Sequence, residues 1–176
     1  AGVNIKDEGS RSIGATNVLR VVKQQNPTLA KKLGMATVIL DALKGMVVLF
    51  AAMSAGVSIE TLWAIAVLSV LGHCYSIYLG LEGGKGVATG LGVLLVLIPI
   101  PTIAGALVWA FCAKVLKVSS ISSLLGLVSL VIMALYTEDS LGVSSYAPLY
   151  IISFIIIYKH IPNIVRLIKG EEGKVA

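Results

Sequence analysis

The sequence predicts an all-α, polytopic integral membrane helix bundle, and three observations carry that prediction. The chain of 176 residues is 57% hydrophobic and 13% charged, whereas an ordinary soluble domain carries about a quarter charged residues. Its mean hydropathy of +0.94 suits several membrane spans better than one buried core. The short connections between its apolar stretches also alternate in charge. A formal net charge of +5 comes with 6% aromatic residues and no basic stripe flanked by stacking side chains, which excludes nucleic acid as a partner. Basic loops facing an anionic inner leaflet explain the charge instead. Cys74 and Cys112 lie in apolar runs and read as packed thiols.

The chain reads as one domain in three parts. Residues 1–33 form a polar opening segment with no signal peptide. Residues 34–158 hold six apolar stretches, at 34–53, 61–81, 87–98, 102–113, 121–136 and 146–158. A full crossing takes about 20 apolar residues, so the third and fourth are short. The IPIP at 98–101 is expected to separate them as a tight hairpin turn, since Pro99 and Pro101 disrupt helical bonding. Residues 159–176 form a tail in which Ile161, Ile164, Leu167 and Ile168 make an apolar stripe suited to the membrane surface, with Pro162 near the helix start.

The connections fix the expected orientation. Lysine and arginine fill the opening segment, Lys85 marks the third connection, Lys114 and Lys117 the fifth, and Lys159, Arg166, Lys169 and Lys174 the tail. The intervening connections at 54–60, 98–101 and 137–145 contain no cation. This basic–bare alternation predicts six crossings with both visible ends in the cytoplasm. Asp41 and Lys44 break the apolar pattern of the first span. Three residues apart, they share a helix face and can partly neutralise each other; a structural pair and a polar-site lining are both open.

Unusual polar chemistry collects in the basic stretches. GSRSIGATNVLR at 9–20 offers small and hydroxylic residues before an arginine, where turn amides and a helix N-terminus favour an anion. Ser10, Ser12, Thr16 and Asn17 can add side-chain bonds there, and Arg20 can grip phosphate bidentately. LEGGKGVATG at 81–90 is not a Walker loop, yet its glycines allow close backbone approach around Lys85. His73 lies just before it inside an apolar run, a candidate for function or for packing against a polar neighbour. KVSSISSL at 117–124 supplies hydroxyls that read first as helix caps. In YKHIPNIVRLIKGEE at 158–172, His160, Asn163 and Arg166 form one polar edge of a helix. Four stretches on one face therefore point to a cytoplasmic site for an anionic ligand that is part phosphate and part lipid.

These motifs resemble those of the bacterial acyl-phosphate:glycerol-3-phosphate acyltransferases. GSRSIGATNVLR is similar to the first family motif, GSGNxGATNxxR; GHCYSIYLGLEGGKGVAT to the second, GHxYPxxxxFKGGKGVAT; and HIPNIVRLIKGEE to the third, HxxNIxRLxxGxE. LDALKG at 40–45 matches a further LDxLKG stretch, so the resemblance spans nearly the whole chain. Arg11 and Ser12 replace Gly-Asn in the first motif, Ser76 replaces a proline, and Leu81-Glu82 replace Phe-Lys. The resemblance implies seven spans in full family members, so a chain without the first helix is expected here.

By position, the resemblance implies active-site roles for Ser10, Arg20, Lys85, His160 and Asn163, with Thr16, Asn17, Gly83, Gly84, Gly86 and Ser123 binding substrate. It implies transfer of a fatty acyl group from acyl phosphate to the 1-hydroxyl of sn-glycerol 3-phosphate at the bacterial inner membrane, releasing phosphate. No cofactor and no metal is expected, because no ligand cluster has useful spacing. Nor is there a partnered Ser–His–Asp pattern to favour an acyl-serine intermediate. The alternative is a transporter or channel for a phosphorylated anion, which predicts polar groups continuing to the far face.

Overall fold

The structure is a computed structural model and describes residues 4–10, 12–137, 142 and 145–174. Arg11, Glu138 and Asp139, which figured in the motif and loop-charge readings, lie outside the described residues. The described residues form seven α-helices and one short 3₁₀ turn, Ile77–Leu79. The helices are α1 (Ala15–Lys23), α2 (Pro27–Ser54), α3 (Ile59–Cys74), α4 (Val87–Leu97), α5 (Pro99–Leu116), α6 (Ser119–Tyr136) and α7 (Ala147–Ile168). Of these, α2, α5, α6 and α7 are long and apolar enough to cross a membrane, while α3 and α4 are shorter apolar helices.

Local chemistry sets several boundaries. The Asn26 side chain accepts from Leu29 N–H at 3.0 Å with Pro27 in the first turn, so α2 starts seven residues before the apolar stretch at 34. Arg20 and Lys23 in the last turn of α1 complement its dipole. At the IPIP the helix breaks at Ile98 alone, and Pro99 and Pro101 begin α5 instead of forming a turn. Proline suits a first turn because its missing N–H would have no partner there. Glycines bring α5 and α6 together: a Cβ on Gly105 would sit 2.7 Å from the Gly126 carbonyl oxygen, the close backbone approach that small residues permit between membrane helices.

The core is apolar, with Trp63, Leu49, Val93, Leu94, Leu149 and Ile152 almost wholly buried. The outer surface is apolar as well: Leu40, Val47, Leu107, Phe111 and Phe154 are all exposed. Such a surface is unfavourable in water and suits hydrocarbon. The tail reading changes in one respect. α7 runs unbroken from Ala147 to Ile168, with Pro162 inside it, so 159–168 continues a long helix and does not form a separate surface segment. Its polar edge, His160 and Asn163, is buried, while Ile161 and Ile168 are exposed.

Candidate active site

The four basic stretches converge. One cavity of about 220 Å³ is walled by Ser10, Thr16, Asn17 and Arg20 from the first, Lys85 and Gly86 from the second, Ser119, Ser120 and Ser123 from the third, and His160, Asn163 and Glu172 from the fourth. Further along the helices its wall becomes apolar, with Leu94, Ala106, Leu127 and Leu130. A second cleft of about 430 Å³ shares Ser10, Lys85 and Asn163 with it and adds Tyr75, Gly83, Lys159 and Arg166. Lys159 Nζ donates to the Cys74 carbonyl at 3.0 Å and lies 4.5 Å from the Tyr75 ring centroid, a cation–π contact that ties α7 to the end of α3.

In the first motif, Asn17 holds the loop that carries Ser10. Its amide nitrogen donates to the Ile5 and Glu8 carbonyls at 2.9 and 3.1 Å, and its oxygen accepts from Ser10 N–H at 2.8 Å. A buried amide with both ends engaged in the loop shapes the site from behind. Thr16 Oγ1 lies 3.0 Å from Ser119 Oγ, joining α1 to α6. Arg20 Nη2 donates to the Gly173 carbonyl at 3.4 Å.

The glycine loop owes its composition to a tight seat on α3. A Cβ on Gly83 would collide with the backbone of His73 and Cys74, and one on Gly84 with the His73 ring and the Ile13 carbonyl. Gly84 is therefore not among the cavity walls. Gly86, at φ +82°, takes the left-handed conformation that starts α4. Lys85 rises from this seat toward the cavity. Burial drives its ammonium down to about 8; Glu172 opposes that shift, and Arg166 and Arg20 add to it.

On α7, His160 Nδ1 donates to the Ile156 carbonyl at 2.8 Å. That bond places the ring proton on Nδ1 and leaves the Nε2 lone pair for the cavity. Glu172 gathers three neighbours: Oε1 accepts from Asn163 Nδ2 at 2.7 Å and from Ser120 Oγ at 2.9 Å, and Oε2 accepts from Arg166 Nε at 2.7 Å. Burial opposes its charge, yet the bonds from Asn163, Arg166 and Ser120 prevail and hold its carboxyl below the usual range.

Sequence reasoning did not single out Glu172, and it offered Ser119 and Ser120 as loop hydroxyls without finding their partners. Glu172 was visible only as the last position of the third motif. The serines read as caps, but Val118 occupies the cap position of α6 without a side-chain bond, Ser119 and Ser120 turn to Thr16 and Glu172, and Ser122 bonds back to the Val118 carbonyl. Asp41 and Lys44 do pair, at 2.7 Å, and His73 joins them. Asp41 and His73 also line the cavity, whereas Lys44 does not.

Comparison with known proteins points to one family. The glycerol-3-phosphate acyltransferase family profile matches residues 1–170. A glycerol-3-phosphate acyltransferase of Aliarcobacter butzleri is 72% identical over 175 residues, covering 99% of this chain and 84% of that protein. One of Sulfurimonas denitrificans is 58% identical with the same coverage. The crystal structure of PlsY (YgiH), an integral membrane glycerol 3-phosphate acyltransferase, in its glycerol 3-phosphate form superimposes with TM-score 0.82 at 34% identity over 99% of this chain and 84% of that one. Its lysophosphatidic acid form gives TM-score 0.76, also at 34% identity, over 94% of this chain and 81% of that one. With three motif-bearing stretches and the third basic loop meeting in one cavity, and matches of this extent, the chain belongs to the glycerol-3-phosphate acyltransferase family.

Proposed function

We propose that this chain, as a single membrane domain, transfers a fatty acyl group from acyl phosphate to the 1-hydroxyl of sn-glycerol 3-phosphate on the cytoplasmic side of a bacterial inner membrane. One observation carries the reading: cations and hydroxyls from four separate stretches share a cavity whose further wall is apolar. Two phosphate head groups and one acyl tail need such a site. The cytoplasmic side and six crossings are supported by the alternation of basic and bare connections.

Acyl phosphate is a mixed anhydride, so the enzyme has to position a hydroxyl against the carbonyl carbon and stabilise charge as phosphate leaves. Lys85 and Arg20 hold the two phosphates. Ser10, placed by Asn17, donates to acyl phosphate. His160, Asn163 and Ser123 orient the glycerol moiety, and Thr16 braces the first motif on α6. The glycerol oxygen forms the ester bond as the carbonyl–phosphate bond breaks, and its proton passes to His160 Nε2 or to a phosphate oxygen of the donor. A well-matched base contributes about 10²–10⁴-fold. A several-hundred-fold loss of kcat in His160→Ala assigns the proton to His160, and a loss of a few-fold assigns it to the phosphate.

The deciding assay is phosphate release from palmitoyl phosphate by the purified protein, with and without glycerol 3-phosphate. Release that depends on glycerol 3-phosphate and yields its 1-acyl ester supports acyl transfer. Uptake of labelled phosphate into vesicles with no acyl product would instead make the protein a carrier. Impermeant labelling of single cysteines at Arg20, Lys85, Ser123 and His160 tests the side, and reaction of any of them only from outside sinks that assignment.

A further inference from the structure

We propose that Asp41, Lys44 and His73 form a positioning network that sets Lys85 through the Gly83–Gly84 backbone; this rests on the reading of Lys85 as a holder of substrate phosphate. The three residues come from α2 and from the last turn of α3. Lys44 Nζ donates to Asp41 Oδ1 at 2.7 Å and to His73 Nδ1, and Asp41 Oδ1 lies 3.6 Å from the same ring nitrogen. An ammonium has only donors, so Nδ1 must be the acceptor and the ring proton sits on Nε2. The ring is thereby fixed in tautomer and orientation, with its side chain 8% exposed.

What the ring touches next is the glycine loop. His73 Nε2 occupies the space that a Cβ on Gly84 would need, and Gly84 N–H donates to the His73 carbonyl at 3.2 Å. The next residue is Lys85. The line from α2 to the cation is thus Asp41 and Lys44, His73, the Gly83–Gly84 backbone, then Lys85, and Asp41 and His73 also wall the same cavity. A charge pair within the apolar stretch of α2 is retained here because it holds the ring that seats the loop.

The test uses the full chain with acyl phosphate and glycerol 3-phosphate. Asp41→Asn combined with Lys44→Met removes both charges together, so neither is stranded in apolar surroundings. A misplaced anion holder weakens ground-state and transition-state binding alike. KM for at least one substrate is therefore expected to rise about 10-fold or more, with kcat little changed. His73→Phe, which keeps ring bulk over Gly84 but lacks Nδ1, is expected to show the same rise. Adding it to the charge-pair variant costs nothing further, because the three act as one unit. His73→Asn, whose carbonyl can stand in for Nδ1 opposite Lys44, loses less than His73→Phe. Should the charge-pair variant not survive extraction, the Phe–Asn contrast reads the same link. Wild-type KM in His73→Phe, losses that multiply, or a fall in thermal midpoint with KM unmoved would each overturn the network. Absence of glycerol 3-phosphate-dependent phosphate release from the unmodified protein would instead overturn the functional reading beneath it.

Discussion

Two polar clusters flank the glycine loop, and they are built differently. Asp41, Lys44 and His73 sit on α2 and α3, with the two charges three residues apart on one helix. Ser120, Asn163, Arg166 and Glu172 meet across α6, α7 and the tail, where one carboxylate takes three donors. The first cluster is balanced locally and leaves Lys44 46% exposed. The second hangs on a single carboxylate that is 7% exposed. The first can therefore be neutralised as a pair at little cost to the fold, whereas the second fails as a whole if its centre is removed. Lys85 stands between them, seated by one and electrostatically coupled to Glu172 and Arg166 of the other.

The largest expected effect comes from removing what both clusters bracket. Lys85→Met, which removes a phosphate holder, should lower kcat/KM by about 10²–10³-fold, chiefly through KM, as loss of a buried charge partner does, with the thermal midpoint near that of the parent. A loss below tenfold in steady-state kinetics would mean that the clusters position something else. Next is Glu172→Ala, which leaves Ser120, Asn163 and the Arg166 guanidinium without their shared acceptor. It should destabilise the protein by about 3 kcal/mol, read as a clear drop in the thermal midpoint in detergent, while Asp41→Asn with Lys44→Met drops less. Equal drops would erase the contrast between the clusters.

A pH profile sharpens it further. Lys85, lowered to about 8 chiefly by burial, is charged and able to hold phosphate below that value and loses its proton above it. Thus kcat/KM should be flat up to about pH 8 and fall about tenfold for each further unit. Bound phosphate stabilises the ammonium, so kcat should turn down at a higher pH than kcat/KM. An alkaline limb that survives in Lys85→Met belongs to another group. The smallest effect is expected at the surface pair Lys6–Glu82, 3.3 Å apart and well exposed. Lys6→Ala should change stability by no more than about 0.5 kcal/mol, and a larger change in the thermal midpoint would give the loop an anchor on that side.

The sequence revealed the fold wherever one short segment contained the signal. Apolar stretches announced the helices, and the Asp41–Lys44 spacing announced its own ion pair. Boundaries moved where capping chemistry outweighed hydropathy: Asn26 and Pro27 start α2 within polar sequence, and Pro99 opens a helix where a turn was expected. The site was legible motif by motif, because Ser10, Arg20, Lys85, His160 and Asn163 each sit in a recognisable stretch and all reach one cavity. Partnerships were not legible. Thr16 meets Ser119 across 103 positions and Ser120 meets Glu172 across 52, and no local periodicity encodes such pairs. Gly83 and Gly84 suggested contact with a ligand, whereas their packing against His73 depends on where α3 ends.

The late position of Glu172 and Gly173 has a consequence for biogenesis. A chain emerges from the ribosome N-terminus first, so Ser10, Arg20 and Lys85 are made before the carboxylate that joins Asn163, Ser120 and Arg166. Until that carboxylate is made, Ser120, Asn163 and Arg166 have no shared acceptor to draw α6, α7 and the tail together.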